Sequence, residues 1–512
     1  MVERAAARTG LVGIDNVTML GLLATLISAL VTSEASKNVL LIFVDDGGSL
    51  LSAYNNTVCD TPNLDKLAAS SVTFTRAYTS VSSCSPSRSV LLTGLPQHQN
   101  GQYGLQHAYH HFQSFDDVQS LPQLLSKNGV RTGLIGKKHV APPTVYKFDF
   151  ERSTGFDLDQ VGRNITYMKE FVREFLLETA DRPFFLYIAF YDTHRGDNTS
   201  TFGQFMNKWG TGQPGMGLIP DWKPKVYDPD KVVVPYFLPD TPATRSDIAE
   251  MYTSFNRLDQ GVGLFLEELK LSGHLDDTLI MFTADNGIPF PNAKTNLYEP
   301  GMGEPMLMSS PLHKEHWGKY SQALVSTMDF VPTVLDWFNI TYPSYDLNGV
   351  KVELTGKSLL PLAADPDNPE YTRVYSSHDF HEITMHYPMR VVRDDRYRLI
   401  HNLNNRAPYP IATDLYMCPT FLDILNRTIH GQMTNWFKSL KEYYHRAEWE
   451  LFNLDEDTQE LHNLYGVPEY DKVFQQMQSS LDRWLWRTND PWRCMPHGVL
   501  VNEKCWPLYN DL

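Results

Sequence analysis

The sequence predicts an α/β fold: a large mixed, mostly parallel sheet sandwiched by helices, with a smaller C-terminal α+β unit behind it. Three observations carry this expectation. Short apolar runs alternate with amphipathic stretches, those stretches carry helix start and stop signals, and the pattern changes after a Pro- and Asp-rich segment. "NVLLIFV" (38–44), "TGLIG" (132–136), "FFLYIAF" (184–190) and "TLIMFTA" (278–284) read as strands buried on both faces. Helices are expected at 63–70, behind Thr61 and Pro62, then at 120–128, stopped by Gly129, and at 163–179, 246–270 and 324–338. Past "ELTGKSLLPLAADPDNPE" (353–370) come "YRLIHNL" and "WELFNLDEDTQELHNL", so the expected boundary falls near residue 370, giving units at 36–370 and 371–512.

Size and charge narrow the possibilities. With 512 residues, 42% hydrophobic, the chain can bury a large core, and its net charge of -16 lacks the basic excess that nucleic-acid binding needs. An anionic substrate must therefore meet local positive charge. The five cysteines, Cys59, Cys84, Cys418, Cys494 and Cys505, contain no CxxC pair, which removes a zinc-ribbon or thioredoxin reading.

Arg4 and Arg8 precede an apolar run of roughly 15 residues, short of the ~20 that span a bilayer, and Ser33 and Ala35 fit a cleavage site. Residues 1–35 are read as a secretory signal peptide, leaving no membrane association after cleavage. Secretory entry gives meaning to the sequons at Asn55, Asn164, Asn198, Asn339 and Asn426, while Asn16 would leave with the signal. An oxidising compartment also permits Cys494 and Cys505 to close a short terminal loop, with two free thiols as the alternative.

The polar tips of the four strands point to chemistry. The strands run into "DDGG", "KKH", "YDTHR" and "DNG", and in an open parallel sheet ligands bind beyond the carboxyl ends of the strands. Each tip alone reads as a turn or a solvated pair; four together predict one site. Asp45, Asp46, Asp285 and Asn286 offer hard oxygens, suited to calcium or magnesium rather than zinc. His139 and His194 lack the HExxH spacing and read as proton carriers. Arg88, Lys137 and Lys294 supply the positive charge that a tetrahedral sulfate or phosphate requires.

"SSCSPSRSVLLTG" (82–94) completes the set. Pro86 belongs in a first helical turn and Gly94 at a helix end, which puts Cys84 at a helix N-terminus, where free N–H groups favour an anion, with Arg88 one turn on. A buried structural cysteine and a thiolate nucleophile are the other readings of Cys84.

The stretch C-S-P-S-R with its trailing L-T-G resembles the signature of the sulfatase family, and the DD, KxH, H and DN tips follow in that family's order. "RTGLIGKKHV", "DRPFFLYIAFYDTHR", "FTADNGIPFPNAKTNLYEPG" and "NDPWRCMPHGVL" resemble its branch acting on N-linked sulfate of glucosamine. The resemblance implies an alkaline phosphatase/sulfatase-like fold and a lysosomal hydrolase that removes N-linked sulfate at the non-reducing end of heparan sulfate. It implies that Cys84 becomes formylglycine through the formylglycine-generating enzyme, and that Asp45, Asp46, Asp285, Asn286 and residue 84 ligate Ca2+. Arg88 and Lys137 would hold the formylglycine and sulfate oxygens, His139 would act as base, His194 would protonate the leaving nitrogen, and Lys294 would contact sulfate. A homodimer is implied as well. Within "SSHDFHEITMHYPMR" (376–390), His381, Glu382 and Arg390 are candidates to line a sugar pocket, against a plain surface loop and strand. The other expectations are a glycosaminoglycan O-sulfatase, a phosphatase or phosphonate hydrolase on the same fold, and a catalytically silent glycan-binding protein.

Overall fold

In the computed structural model, residues 37–153, 161–179, 182–196, 202, 210–212, 214 and 217–508 are described. The signal-peptide segment and the sequons at Asn16 and Asn198 lie outside them.

Nine strands form the main sheet: β1 (Asn38–Val44), β2 (Val72–Tyr78), β3 (Arg131–Gly136), β4 (Phe150–Ser153), β5 (Phe184–Ala189), β6 (Thr278–Ala284), β7 (Gly303–Ser309), β8 (Tyr320–Ser321) and β9 (Val325–Ser326). Their order is β4-β3-β5-β1-β6-β7-β2-β8, with β9 also paired to β2. β1 lies parallel between β5 and β6, whereas β7 runs antiparallel to both β6 and β2, so the sheet is mixed. The period-two geometry of β1 splits its apolar residues between two cores. Leu40, Ile42 and Val44 pack with helices α4 (Ile165–Thr179) and α5 (Pro242–Leu271) on one face. Val39, Leu41 and Phe43 pack with α2 (Cys84–Thr93), α3 (Leu121–Lys127) and α6 (Phe330–Trp337) on the other. Helix α1 (Pro62–Ala69) starts with Pro62 in its first turn, as Thr61-Pro62 predicts.

One expected helix is shorter than its periodicity suggests. The span 324–338 contains β9, a 3-10 turn and then α6, because Ser326 and Asp329 form a capping box that starts the helical path there. The ribbon β10 (Asp346–Leu347) and β11 (Val350–Lys351) follows. An antiparallel sheet, β12 (Arg373–His378), β13 (Met389–Asp394), β14 (Tyr397–Asn402) and β15 (Trp449–Asn453), comes next. Helix α8 (Asp471–Arg487) covers one face through Met477, Leu481 and Trp484. The other face packs Val391, Ile400 and Phe452 against Tyr78, Tyr298 and α7 (Pro419–Ile429), which seats it on the main sheet. Cys494 and Cys505 form a disulfide beside the hairpin of β16 (Gly498–Val501) and β17 (Lys504–Pro507), and Cys59 and Cys418 are buried free thiols. No helix among the described residues is long and apolar enough to cross a membrane.

Candidate active site

The carboxyl ends of β1, β3, β5 and β6 meet beside the N-terminus of α2. β1 delivers Asp45 and Asp46, and β6 delivers Asp285 and Asn286, at adjacent positions because the two strands pair in register up to Val44 and Ala284. β3 ends in Gly136 with φ 103°, where a Cβ would lie 1.9 Å from the Ala189 carbonyl, so only glycine lets Lys137 turn into the site. Asp46 (φ 53°) and His139 (φ 50°) both occupy left-handed backbone, strain that collects at functional positions.

Helix α2 begins at Cys84 and ends at Gly94, whose left-handed backbone lets its N–H reach the Val90 carbonyl. Its N-cap residue Ser83 does not cap: the hydroxyl lies 2.8 Å from His381 Nδ1. The first turn of α2 therefore keeps N–H groups for an anion. Cys84 Sγ lies 3.9 Å from Asp46 Oδ1, and burial pushes its thiol well above the usual range. A thiolate nucleophile is disfavoured by that environment.

Arg88 donates from Nη2 to Asp285 Oδ2 (2.8 Å) and Asp45 Oδ1 (3.2 Å), and from Nη1 to the Lys137 carbonyl (3.1 Å). Lys137 pairs with the second oxygen of Asp45. Asp46 accepts from Asn286 Nδ2 (2.7 Å) and Lys294 Nζ (2.9 Å), and its own N–H donates to Asp285 Oδ1 (2.9 Å). Lys294 also reaches Asp414 Oδ2 at 3.1 Å. Four carboxylates thus surround three permanent cations. Although burial works to raise it, Lys137 and Arg88 hold Asp45 well below the usual carboxylate range. Burial and the neighbouring Asp45 push Asp285 well above it. The buried Asn286 Oδ1 has no hydrogen-bond partner. Excess carboxylate and an orphaned amide oxygen make a donor set that could hold a hard divalent cation, and the ligating atoms of Asp45, Asp46 and Cys84 lie within 4.8 Å of one another.

Two histidines flank this cluster. His194 Nδ1 lies 2.8 Å from the Arg195 carbonyl, which sets the tautomer and leaves Nε2 facing Asp46 Oδ2 (3.8 Å) and Asp414 Oδ2 (4.0 Å). Its loop is pinned on both sides: Asp192 is held by Arg163 (2.6 Å) and Arg257 (2.7 Å), and Arg195 pairs with Asp247 (2.7 Å). His139 Nε2 lies 2.7 Å from His107 Nδ1, at the edge of a cleft of about 1050 Å³ that Lys138 and Tyr191 also line. Burial lowers the pKa of both His139 and His194, with Lys137 and Lys294 adding to it respectively.

The structure brings together Asp45, Asp46, Cys84, Arg88, Lys137, His139, His194, Asp285, Asn286 and Lys294, and adds His381 through Ser83. It commits Glu382 and Arg390 to partners within the protein. Both Glu382 oxygens accept from Thr413, its N–H (2.8 Å) and its hydroxyl (2.9 Å), which fixes the helical turn Thr413–Tyr416. Arg390 is fully buried between Asp379 (2.8 Å) and Asp490 (2.5 Å), where no sugar can reach it. Sequence reasoning misses two residues. His107 has a weak signal in the histidine-rich "QHAYHH"; Asp414 has none, since only tertiary packing carries it to the site. Of the four sequons among the described residues, Asn55, Asn339 and Asn426 are exposed, and Asn164 is half-buried, accepting from the Tyr167 N–H.

The family model described as Sulfatase matches residues 37–340, and one described as N-sulphoglucosamine sulphohydrolase, C-terminal, matches 292–423 and 415–486. The chain is 54% identical over 484 residues to N-sulphoglucosamine sulphohydrolase of Homo sapiens, covering 93% of this chain and 96% of that one. It is 25% identical over 495 residues to an ulvan-active sulfatase of Formosa agariphila, covering 92% and 78%. Among solved structures, a protein in complex with its substrate D-glucosamine-2-N,6-O-disulfate shares the fold, with a TM-score of 0.63 at 19% identity over 89% of this chain and 98% of that one. A phosphonate monoester hydrolase from Silicibacter pomeroyi also shares it, with a TM-score of 0.62 at 17% identity over 92% and 99%.

Proposed function

The chain belongs to the sulfatase family, and from that premise we propose that it hydrolyses the N-linked sulfate of glucosamine at the non-reducing end of heparan sulfate. The observation that carries this reading is the 54% identity to N-sulphoglucosamine sulphohydrolase, which extends over 93% of the chain and so includes the C-terminal residues that reach the site.

Asp45, Asp46, Asp285 and Asn286 would hold a Ca2+ ion, which supplies the positive charge that residue 84 and the sulfate oxygens need. Residue 84 would be oxidised to formylglycine, whose hydrated aldehyde would supply the nucleophilic hydroxyl. The rest falls to the chain's own side chains. Arg88 aligns Asp45 and Asp285; Lys137 and Lys294 bring positive charge to the sulfate. His194, with Nδ1–H committed to the Arg195 carbonyl, carries a proton on Nε2 only as the imidazolium, and in that form it hands the Nε2 proton to the nitrogen as the S–N bond breaks, because an amine anion cannot leave unprotonated. His139, braced by His107, serves as the base. The exposed sequons and the Cys494–Cys505 disulfide support passage through a secretory route to the lysosome.

The test is sulfate release from N-sulfated glucosamine saccharides and from matched 6-O-sulfated ones, with the mass of the peptide carrying residue 84 measured on the same protein. Release from the N-sulfated substrate alone, with that peptide about 18 Da lighter than the cysteine form, is expected. Release only from the 6-O-sulfated substrate makes the chain an O-sulfatase; unmodified Cys84 and no release from either makes it a glycan-binding protein.

A further inference from the structure

Among Asp45, Asp46, Asp285 and Asp414, the first three side chains are fully buried and Asp414 alone is partly exposed, with 21% of its side chain accessible. His194 is exposed to the same extent. Asp414 is anchored from three directions. Its Oδ1 accepts from the Leu415 N–H (2.9 Å), its Oδ2 accepts from Lys294 Nζ (3.1 Å), and the preceding Thr413 is tied to Glu382. A second metal ion among Asp46, His194 and Asp414 is unnecessary, since the Lys294 ammonium already bridges the two carboxylates at 2.9 and 3.1 Å. Asp414 Oδ2 stands 4.0 Å from His194 Nε2. An atom that sits roughly 2.7–3.2 Å from Nε2 on the side facing Asp414 can stand at hydrogen-bond distance from that carboxylate as well.

We propose that Asp414 is a specificity-determining residue that selects N-linked over O-linked sulfate at the scissile position. The inference rests on the N-sulfatase reading and on His194 Nε2 addressing the leaving atom. A sulfamate nitrogen carries a hydrogen that it donates to the Asp414 carboxylate before reaction. When the S–N bond breaks, the bonding pair stays on nitrogen, one proton arrives from His194 and a second from water, and the resulting ammonium pairs with Asp414. A sulfate ester presents an oxygen with lone pairs only. That oxygen faces the carboxylate with nothing to donate, and its alcohol leaves uncharged. Donor against acceptor at a carboxylate is the kind of contrast that yields discrimination of roughly 10²-fold or more.

The experiment compares glucosamine 2-N-sulfate with glucose 2-O-sulfate, which hold sulfur at the same ring position, on wild type, Asp414→Asn and Asp414→Glu, with melting temperatures recorded. The expected result is a fall of about 10²-fold in the ratio of kcat/KM for N- over O-sulfate in Asp414→Asn, carried mainly by kcat on the N-substrate, with partial recovery of the ratio in Asp414→Glu. An equal loss on both substrates would make Asp414 a mere support for Lys294 and overturn the proposal, as would an unchanged ratio. If Asp414→Asn does not fold, Glu382→Gln, which loosens the same helical turn, is expected to lower the ratio in the same direction; a constant ratio there overturns it. Wild type inert on the N-sulfate refutes the N-sulfatase reading and the inference with it, whereas active wild type with a constant ratio refutes the inference alone.

Discussion

Arg88 and Arg390 are two fully buried guanidiniums, each set between two aspartates, one pair in the main sheet and the other where the C-terminal sheet meets the segment after α8. Their surroundings differ. Around Arg390 the remaining donors end on the carbonyls of His378 (3.0 Å) and Met389 (2.9 Å), and Asp490 also lies 3.5 Å from the fully buried His98 Nδ1, so the cluster stays in the interior. Around Arg88 the contacts lead outward, through Asp45 to Lys137 and through Asp285 and Asp46 to Lys294 and Asp414, leaving the Asn286 oxygen unpaired. The first arrangement is a joint and the second a site. What separates them is that the second cluster reaches the partly exposed Asp414 and His194, not the presence of buried charge.

The largest effect that could break this contrast comes from Arg390→Leu. It strands Asp379 and Asp490 in the interior and should cost about 3–5 kcal/mol of stability, read by thermal or urea unfolding, with kcat per folded molecule unchanged. A loss of kcat at full stability would put Arg390 in the site. Next in size is calcium. Added Ca2+ should raise stability by about 2.7 kcal/mol at a hundredfold excess over its Kd, and the gain should vanish in Asp285→Asn; equal gains in both proteins would remove the ion from this cluster. The smallest effect is a pH dependence of the joint. Burial, with Asp490 beside it, raises Asp379 from 3.8 to about 7 against the pull of Arg390. The folded state then binds that proton more tightly than the unfolded chain, so its contribution is full in acid and is lost as pH rises through about 7. Asp379→Asn, neutral throughout, should gain roughly 1–2 kcal/mol on wild type between pH 5 and pH 7, and a constant difference would place that titration elsewhere.

The same contrast between joint and site governs how much is legible in the sequence. The strands β1, β3, β5 and β6 are continuous apolar runs ending in polar tips, so both their existence and their convergence can be read directly. Helix α2 is legible through Pro86 and Gly94, which punctuate it. The antiparallel β7 is not, because its direction is set by the path of the connection from β6, residues 285–302, rather than by its composition. Arg390 reads wrongly as a pocket residue because a buried, paired arginine and a ligand-binding one look alike in a string of letters. Asp414 is invisible for the complementary reason: its position depends on Lys294, 120 positions away, and on Glu382, which holds the preceding Thr413 from 31 positions away.

Cys84 is 1% exposed, locked into the first turn of a helix whose every residue is buried. No second protein can grip that thiol once the molecule has folded. Any oxidation of residue 84 would therefore belong to the nascent chain and compete with folding in time, so the fraction of active molecules would be decided by a race between two rates before the protein first meets a substrate.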